Sequence, residues 1–282
     1  MRLARFGTRD GFQIFASHNG SWIPLSGLSG YEAPARITDL LDDSRQRELA
    51  TLLDSQPAAG AAGIRLDDAA TVLDGGDIWG AGLNYRGHSE DLDAEQPASG
   101  PGSYLRPRSC LIGNGQQIEL PSHSKRVTAE AELGLIVGRE CKNVRRDAWR
   151  SVIAGVTAVL DLTAEDAVRE NPRYIPWAKG FDTFCSVGPQ LVTLDEFDDP
   201  ALESVRVSTV RNGAVVASAL VSDMKYDLGY LVEYFTAGRT LSPGTVICTG
   251  TPGAAVISAG DSIKSVVENV GTLTHSVNEV NA

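Results

Sequence analysis

The chain has 282 residues, 42% of them hydrophobic, which is enough to bury one large core and a small appended unit without disulfide staples. Its 36 Asp and Glu against 25 Lys and Arg give a net charge of −11 and a pI near 4.8, and no basic run tracks along the sequence. That balance argues against nucleic acid and anionic membrane as partners, and it requires a local cationic pocket for any anionic substrate.

The opening MRLARFGTRDGFQIF carries charges where a secretion signal needs its apolar stretch. The longest apolar run, around 152–160, is too short for a membrane span. Cys110, Cys141, Cys185 and Cys248 lie far apart with no CxxC pair, so neither a zinc site nor a disulfide framework is indicated. A soluble protein of the reducing cytoplasm is expected.

In chain order, residues 12–25 read as a hairpin, with Asn19-Gly20 supplying the positive φ of a tight turn. DSRQRELATLLDSQ follows as a helix, its Leu49, Leu52 and Leu53 at helical spacing, with Ser44 giving half a capping box. The small, aperiodic PAAGAAG stretch at 57–63 reads as a linker. It places a small N-terminal domain at 1–70 and a second, larger domain at 71–282. From there β-rich runs punctuated by Gly and Pro fall at 78–83, 117–120, 129–138, 152–162, 190–193, 205–210, 214–221, 245–249 and 263–274. Such spacing predicts an α+β, mainly β fold: a mixed β-sandwich roll with few helices.

Strand alternation in TAEAELGLIVG puts Glu130 and Glu132 on one face, with Ala131, Leu133 and Leu135 on the other. The next strand, VIAGVTAVLDLTAED, closes on Asp161 before a helix that Thr163 would cap, with Asp166 three residues on. Three carboxylates form a hard oxygen donor set suited to Mg²⁺, Mn²⁺ or Ca²⁺ rather than zinc. In WAKGFDTF, Lys179 is placed to neutralise an oxyanion or hold a carboxylate. TVICTGTPG enters a tight turn where Thr249 and Thr251 offer hydroxyl and backbone donors; it lacks the ending of a phosphate loop. In GLNYRGHSED, Asp91 could orient His88 as a general base, company that His18, His123 and His275 lack. The charged, Gly/Pro-rich stretch 85–103 is expected to form a lid that orders with ligand.

Taken in order, GLNYRGHSED, YLRPRSCLIGNGQQIELP, EAELGLIVGR, LDLTAED, WAKGFDTFCSVGPQLVT, LSPGTVICTGTPG and GDSIKSVVENVGTLTHSV resemble the fumarylacetoacetate hydrolase family over roughly residues 78–275. The resemblance implies a homodimer with one Mg²⁺ or Mn²⁺ held by Glu130, Glu132 and Asp161, acting on a small 2-oxo acid whose enolate the metal stabilises. It implies catalytic roles for His88, Asp91 and Lys179, and substrate contacts from Tyr85, Arg106, Glu165 and Thr251. Hydrolysis of an acylpyruvate-type 2,4-dioxo acid leads. Oxaloacetate-type decarboxylation or tautomerisation, isomerisation of a 2-hydroxyhepta-2,4-diene-1,7-dioate type, turnover of a 2-oxo-3-deoxy sugar acid, and noncatalytic binding of a 2-oxo acid are the alternatives.

The sequence departs from the family pattern at several places. The dyad acid, usually Glu, is Asp91, beside Glu90, and a common Lys is Arg106. The motif that usually reads T/S-A-R-D, in some members followed by Gln, holds Glu165 and Val168 at the places of the arginine and the amide. A carboxylate there disfavours a substrate with a second carboxylate and favours a neutral or hydroxylated tail, unless Arg169 or Arg173 supplies the missing cation.

Overall fold

A computed structural model describes residues 1–9, 11–55, 63–87, 96 and 98–279. At the N-terminus β1 (Arg2–Thr8), β2 (Gly11–His18) and β3 (Ser21–Pro24) form an antiparallel meander. Asn19 and Gly20 turn β2 into β3 with φ of 48° and 77°, the left-handed pair a two-residue hairpin needs. Helix α1 (Asp43–Ser55) buries Leu49 and Leu53, one turn apart, as the leucine spacing predicts. Of the predicted linker at 57–63, residues 57–62 lie outside the described residues.

Beyond it the chain lays down β4 (Ala69–Ala70), β5 (Ile78–Gly82), β6 (Gly102–Arg106), β7 (Leu111–Ile112), β8 (Ile118–Leu120), and two long strands, β9 (Val127–Val137) and β10 (Ile153–Ala164). Next come β11 (Cys185–Thr193), β12 (Arg206–Arg211), β13 (Ala214–Leu220), β14 (Val246–Cys248), β15 (Ala254–Ile257), β16 (Ser262–Val267) and β17 (Gly271–Glu279). The run expected as one strand over 263–274 is two, because Asn269 adopts φ of 61° in the turn that folds β17 back on β16. After β10 come four short helices: α2 (Glu165–Glu170), α3 (Ile175–Ala178), α4 (Asp199–Glu203) and α5 (Leu228–Thr236).

Two mixed sheets result, the fold class the sequence predicts. The twelve-stranded sheet runs β3-β2-β1-β11-β10-β9-β14-β5-β6, with β15, β4 and β7 attached to β9, β1 and β11. β1 pairs with β11, so the N-terminal meander extends the same sheet that carries the two long strands. The five-stranded sheet, β13-β12-β16-β17-β8, packs against β9, β10 and β11. β9 and β10 are therefore buried along their whole length on both faces. Any charged side chain on them must find its partners inside the protein. Among the described residues, no helix is long and apolar enough to cross a membrane.

Candidate metal centre

Antiparallel register sets Glu130 directly opposite Asp161, with Glu132 two residues further along the same face of β9. One carboxylate oxygen from each of the three lies within 4.8 Å of the others, and all three residues are buried. Carboxylates this close and this dry require positive charge beside them. Two cations supply it. Arg106, its side chain fully enclosed, bonds Asp161 Oδ1 through Nη2 and also donates to the carbonyls of Leu162, Lys179 and Phe184. Lys179 Nζ stands 2.7 Å from Asp161 Oδ1, 3.3 Å from Glu130 Oε2 and 2.7 Å from Thr163 Oγ1.

Neutral donors fix the rest. The Tyr104 hydroxyl donates to Asp161 Oδ2, and those of Thr128 and Thr163 donate to Glu130 Oε1 at 3.1 and 3.3 Å. The Gly250 N–H reaches Glu132 Oε2 at 2.8 Å from the turn after β14. Gly80, the register partner of Tyr104, carries no side chain, and the Tyr104 ring lies where a Cβ would stand.

Three carboxylates and two cations leave one excess negative charge. Burial opposes ionisation of Asp161, but Arg106 and Lys179 together hold its carboxyl below the ordinary range. Burial works against the Lys179 ammonium too, and Asp161 and Glu130 overcome it, raising its pKa. Burial, then the charge on Asp161, pushes the Glu132 carboxyl well above its usual range despite Lys179 and the Gly250 N–H. The protein's own two cations therefore do not balance the three carboxylates, and Glu132 bears the imbalance. A divalent ion would supply the missing positive charge, and an all-carboxylate donor set fits a hard one. By this chemistry the residues fit the ion that the sequence predicts.

The other predicted site residues fall in different places. His88 and Asp91 lie outside the described residues, as does Glu90. Of the expected lid, both ends are anchored: Tyr85 bridges to Met224, the Gly100 N–H donates to the Tyr226 hydroxyl at 3.1 Å, and β6 begins at Gly102. Tyr85 is buried, and burial, then the charge on Glu132, raises its hydroxyl pKa. Arg106, expected to touch substrate, bonds Asp161 and three backbone carbonyls through its two terminal nitrogens, and its Nε has no partner among the described residues. Thr251 and Thr249 turn their hydroxyls to the carbonyls of Gly253 and Leu133, so the backbone N–H of Gly250 is what that turn offers the centre.

Thr163 does not cap the following helix. β10 runs on through Ala164, the helix starts without a side-chain cap, and the Thr163 hydroxyl serves Glu130. Glu165 is buried and faces two guanidiniums: Arg126 Nε bonds Oε2, and Arg169 Nε and Nη2 bond Oε1 at 2.8 and 2.5 Å. The bare carboxylate expected at this wall is thus outnumbered by cations. Arg169, one helical turn on, is the nearer of the two arginines named for that wall in the sequence, and it bonds Glu165.

Tyr104, Thr128 and Arg126 were not singled out in the sequence. The signal for Tyr104 was alternation. In YLR, Tyr104 and Arg106 fall on one face as surely as the two glutamates of EAE do, and both reach Asp161.

Residues 77–278 match the family model for the fumarylacetoacetate (FAA) hydrolase C-terminal region. A maleylpyruvate hydrolase of Aquipseudomonas alcaligenes is 30% identical, over 99% of this chain and 100% of its own. A solved maleylpyruvate hydrolase from Sphingobium sp. SYK-6, in complex with manganese(II) and pyruvate, is similar over 100% of both chains, with a TM-score of 0.80 and 27% identity. A 5-carboxymethyl-2-hydroxymuconate delta-isomerase from Mycobacterium smegmatis, also covering 100% of both chains, gives a TM-score of 0.77 and 29% identity. These relatives are enzymes of more than one reaction type.

Proposed function

The chain belongs to the fumarylacetoacetate hydrolase family, and on that premise we propose that it is a divalent-metal-dependent hydrolase cleaving a carbon–carbon bond in a small 2,4-dioxo acid. The observation that carries this reading is the buried cluster of Glu130, Glu132 and Asp161, whose charge is short of balance by less than one divalent ion. Support for the reaction type comes from the full-length similarity to maleylpyruvate hydrolase and from the manganese and pyruvate held by its solved counterpart.

Glu130, Glu132 and Asp161 would hold Mg²⁺ or Mn²⁺, with Ca²⁺ also compatible with the donors. When bound, the ion would supply Lewis acidity to a 2-oxo acid. Lys179 holds Asp161 and Glu130 in place and keeps an ammonium beside the centre, where it offsets negative charge developing on the substrate. Arg106 and Tyr104 fix Asp161 from behind, and the Gly250 N–H orients Glu132.

His88, steered by Asp91, takes a proton from water as its oxygen attacks the distal carbonyl carbon. The bond between C3 and C4 of the substrate breaks, its electron pair stays on the pyruvate half as the enolate, and protonation at C3 completes pyruvate. One water is consumed, and one carboxylic acid and one pyruvate form.

The test is to incubate the Mn²⁺-loaded protein with acetylpyruvate and maleylpyruvate in ¹⁸O-water. Hydrolysis places one ¹⁸O in the released acid and yields pyruvate. Release of CO₂, or a rearranged product without ¹⁸O, would instead support the decarboxylase or isomerase reading. No turnover with full binding would leave a binding protein.

A further inference from the structure

Three of the four cysteines gather around Arg106, the guanidinium that holds Asp161. Cys110 closes the single turn of 3₁₀ helix at Arg108–Cys110, which follows Arg106 and Pro107 directly. Cys185 opens β11, where the short parallel pairing with β7 sets it opposite Leu111, the residue after Cys110. Neighbouring strands lie about 4.8 Å apart and residues step about 3.3 Å along them, so the Cα atoms of Cys110 and Cys185 stand roughly 6 Å apart. That lies within the roughly 4.4–6.8 Å that a disulfide spans. The two thiols meet in a hydrogen bond, and the Cys110 sulfur also donates to the Pro107 carbonyl at 2.9 Å.

The setting favours one sulfur as nucleophile and the other as resolving thiol. The Cys185 thiol, and after it the charge of Arg106, bring the Cys110 thiol down to about 7 against the upward push of burial. The same bond, with burial, pushes the Cys185 thiol well up, so it keeps its proton. Cys248 is held protonated too, by burial and by the charges on Glu132 and Asp161. Cys110 is fully enclosed, yet the residues leading into it, Pro107, Arg108 and Ser109, are all exposed. Local opening of that one turn would bring the sulfur to solvent without disturbing either long strand.

Arg106 is tied to both segments. It stands four residues before Cys110, and its Nη1 donates to the carbonyl of Phe184, the residue before Cys185, at 3.0 Å. Its Nη2 carries the bond to Asp161. A covalent link between the sulfurs replaces a hydrogen-bonded contact, so the turn is drawn towards β11 and the tightly enclosed guanidinium is displaced with it. Asp161 then loses part of the charge and orientation that ready it for a metal ion.

We propose that Cys110 and Cys185 are a redox modification site, which hydrogen peroxide closes into a reversible disulfide that weakens the carboxylate centre through Arg106. Cys110, as thiolate, attacks one peroxide oxygen; the O–O bond breaks, and the departing hydroxide takes the proton that the thiol released. Cys185 Sγ then attacks the Cys110 sulfenic acid, the S–S bond forms, and the sulfenic hydroxyl leaves with the Cys185 proton as a second water. Two thiols and one peroxide give one disulfide and two waters, an oxidation that a dithiol reverses. Formation of the bond is independent of the metal reading, and its consequence for the centre rests on it.

The test treats the full, metal-free chain with hydrogen peroxide, removes the peroxide, maps the thiols by peptide mass spectrometry and reads Mn²⁺ affinity by calorimetry. Wild type is expected to lose two of its four thiols to a Cys110–Cys185 link and to recover them with dithiothreitol. Its Mn²⁺ affinity should fall at least about tenfold while oxidised, the lower range for loss of a group that orients a metal ligand. Cys110→Ser, whose hydroxyl can still donate to Pro107, is expected to form no disulfide and to keep its own Mn²⁺ affinity through the treatment. Cys141→Ser is expected to respond as wild type. Cys110 that stays reduced, oxidises to a sulfinic acid without pairing, or pairs with Cys248 overturns the site. A Cys110–Cys185 disulfide that leaves Mn²⁺ affinity unchanged overturns the coupling through Arg106. If the untreated chain binds no Mn²⁺, the metal reading falls and the coupling with it, while the disulfide map still decides the pair.

Discussion

Lys179 Nζ sits 2.7 Å from Asp161 Oδ1 and 3.3 Å from Glu130 Oε2, joining carboxylates that belong to two different strands. With Lys179 buried, its loss leaves those carboxylates facing each other with only Arg106 to balance them. Lys179→Met is therefore expected to lower the melting temperature of the metal-free protein by several degrees, since removing one partner of a buried pair costs about 3–5 kcal/mol. Saturating Mn²⁺ should recover a larger part of the loss in the variant than it adds to wild type. In the same variant kcat/KM should fall by roughly 10²-fold or more. A metal-free melting temperature equal to wild type would show that the ammonium does not balance the cluster.

Tyr104 crosses Gly80 to reach Asp161, so the glycine is part of the centre's construction. Gly80→Ala forces the ring away, with an expected stability loss of about 1–3 kcal/mol and weaker Mn²⁺ retention. Tyr104→Phe removes the hydroxyl and keeps the ring, so it should weaken Mn²⁺ retention with a smaller loss of stability. Chemical denaturation and metal titration of both variants separate the two effects. Undiminished Mn²⁺ affinity in Gly80→Ala would contradict the link.

His275 is buried in β17, with Nδ1 donating to the Gln116 carbonyl at 2.8 Å and no partner for Nε2 among the described residues. Burial lowers its pKa to about 4, outweighing the bond to Gln116. Because the folded value lies below the unfolded value of about 6.5, its contribution to stability is complete above pH ~6.5 and is lost as pH falls from there toward 4. The gap of roughly 2.5 units corresponds to about 3 kcal/mol. Unfolding free energies measured from pH 7.5 to 4 should show a steeper decline in wild type than in His275→Leu. Parallel slopes would place the acid sensitivity elsewhere.

The parts of the fold legible in the sequence were those set by local chemistry: the Asn19-Gly20 turn, the leucine face of α1, and the alternation that put Glu130 and Glu132 on one side. The opposition of Glu130 and Asp161 follows from a register between strands, and one strand alone does not encode it. His275 carried no mark in the sequence beyond the lack of a neighbouring carboxylate, and only the packing of the second sheet makes it buried. Thr163 read as a helix cap because its spacing to Asp166 suits one, yet β10 continues past it and its hydroxyl turns to Glu130. Glu165 was legible as a carboxylate in an unexpected place. Its pairing with Arg126 depends on two segments 39 residues apart meeting at the end of β9 and β10.

The most direct measurement of the central claim is the Mn²⁺ stoichiometry and affinity of the purified chain after chelation, by calorimetry or electron paramagnetic resonance. One ion per chain is expected in wild type, with affinity reduced at least about tenfold by each of Glu130→Gln, Glu132→Gln and Asp161→Asn, and activity lost on chelation and restored by Mn²⁺ or Mg²⁺. Undiminished Mn²⁺ binding in all three variants, or activity that survives complete removal of the metal, would contradict it.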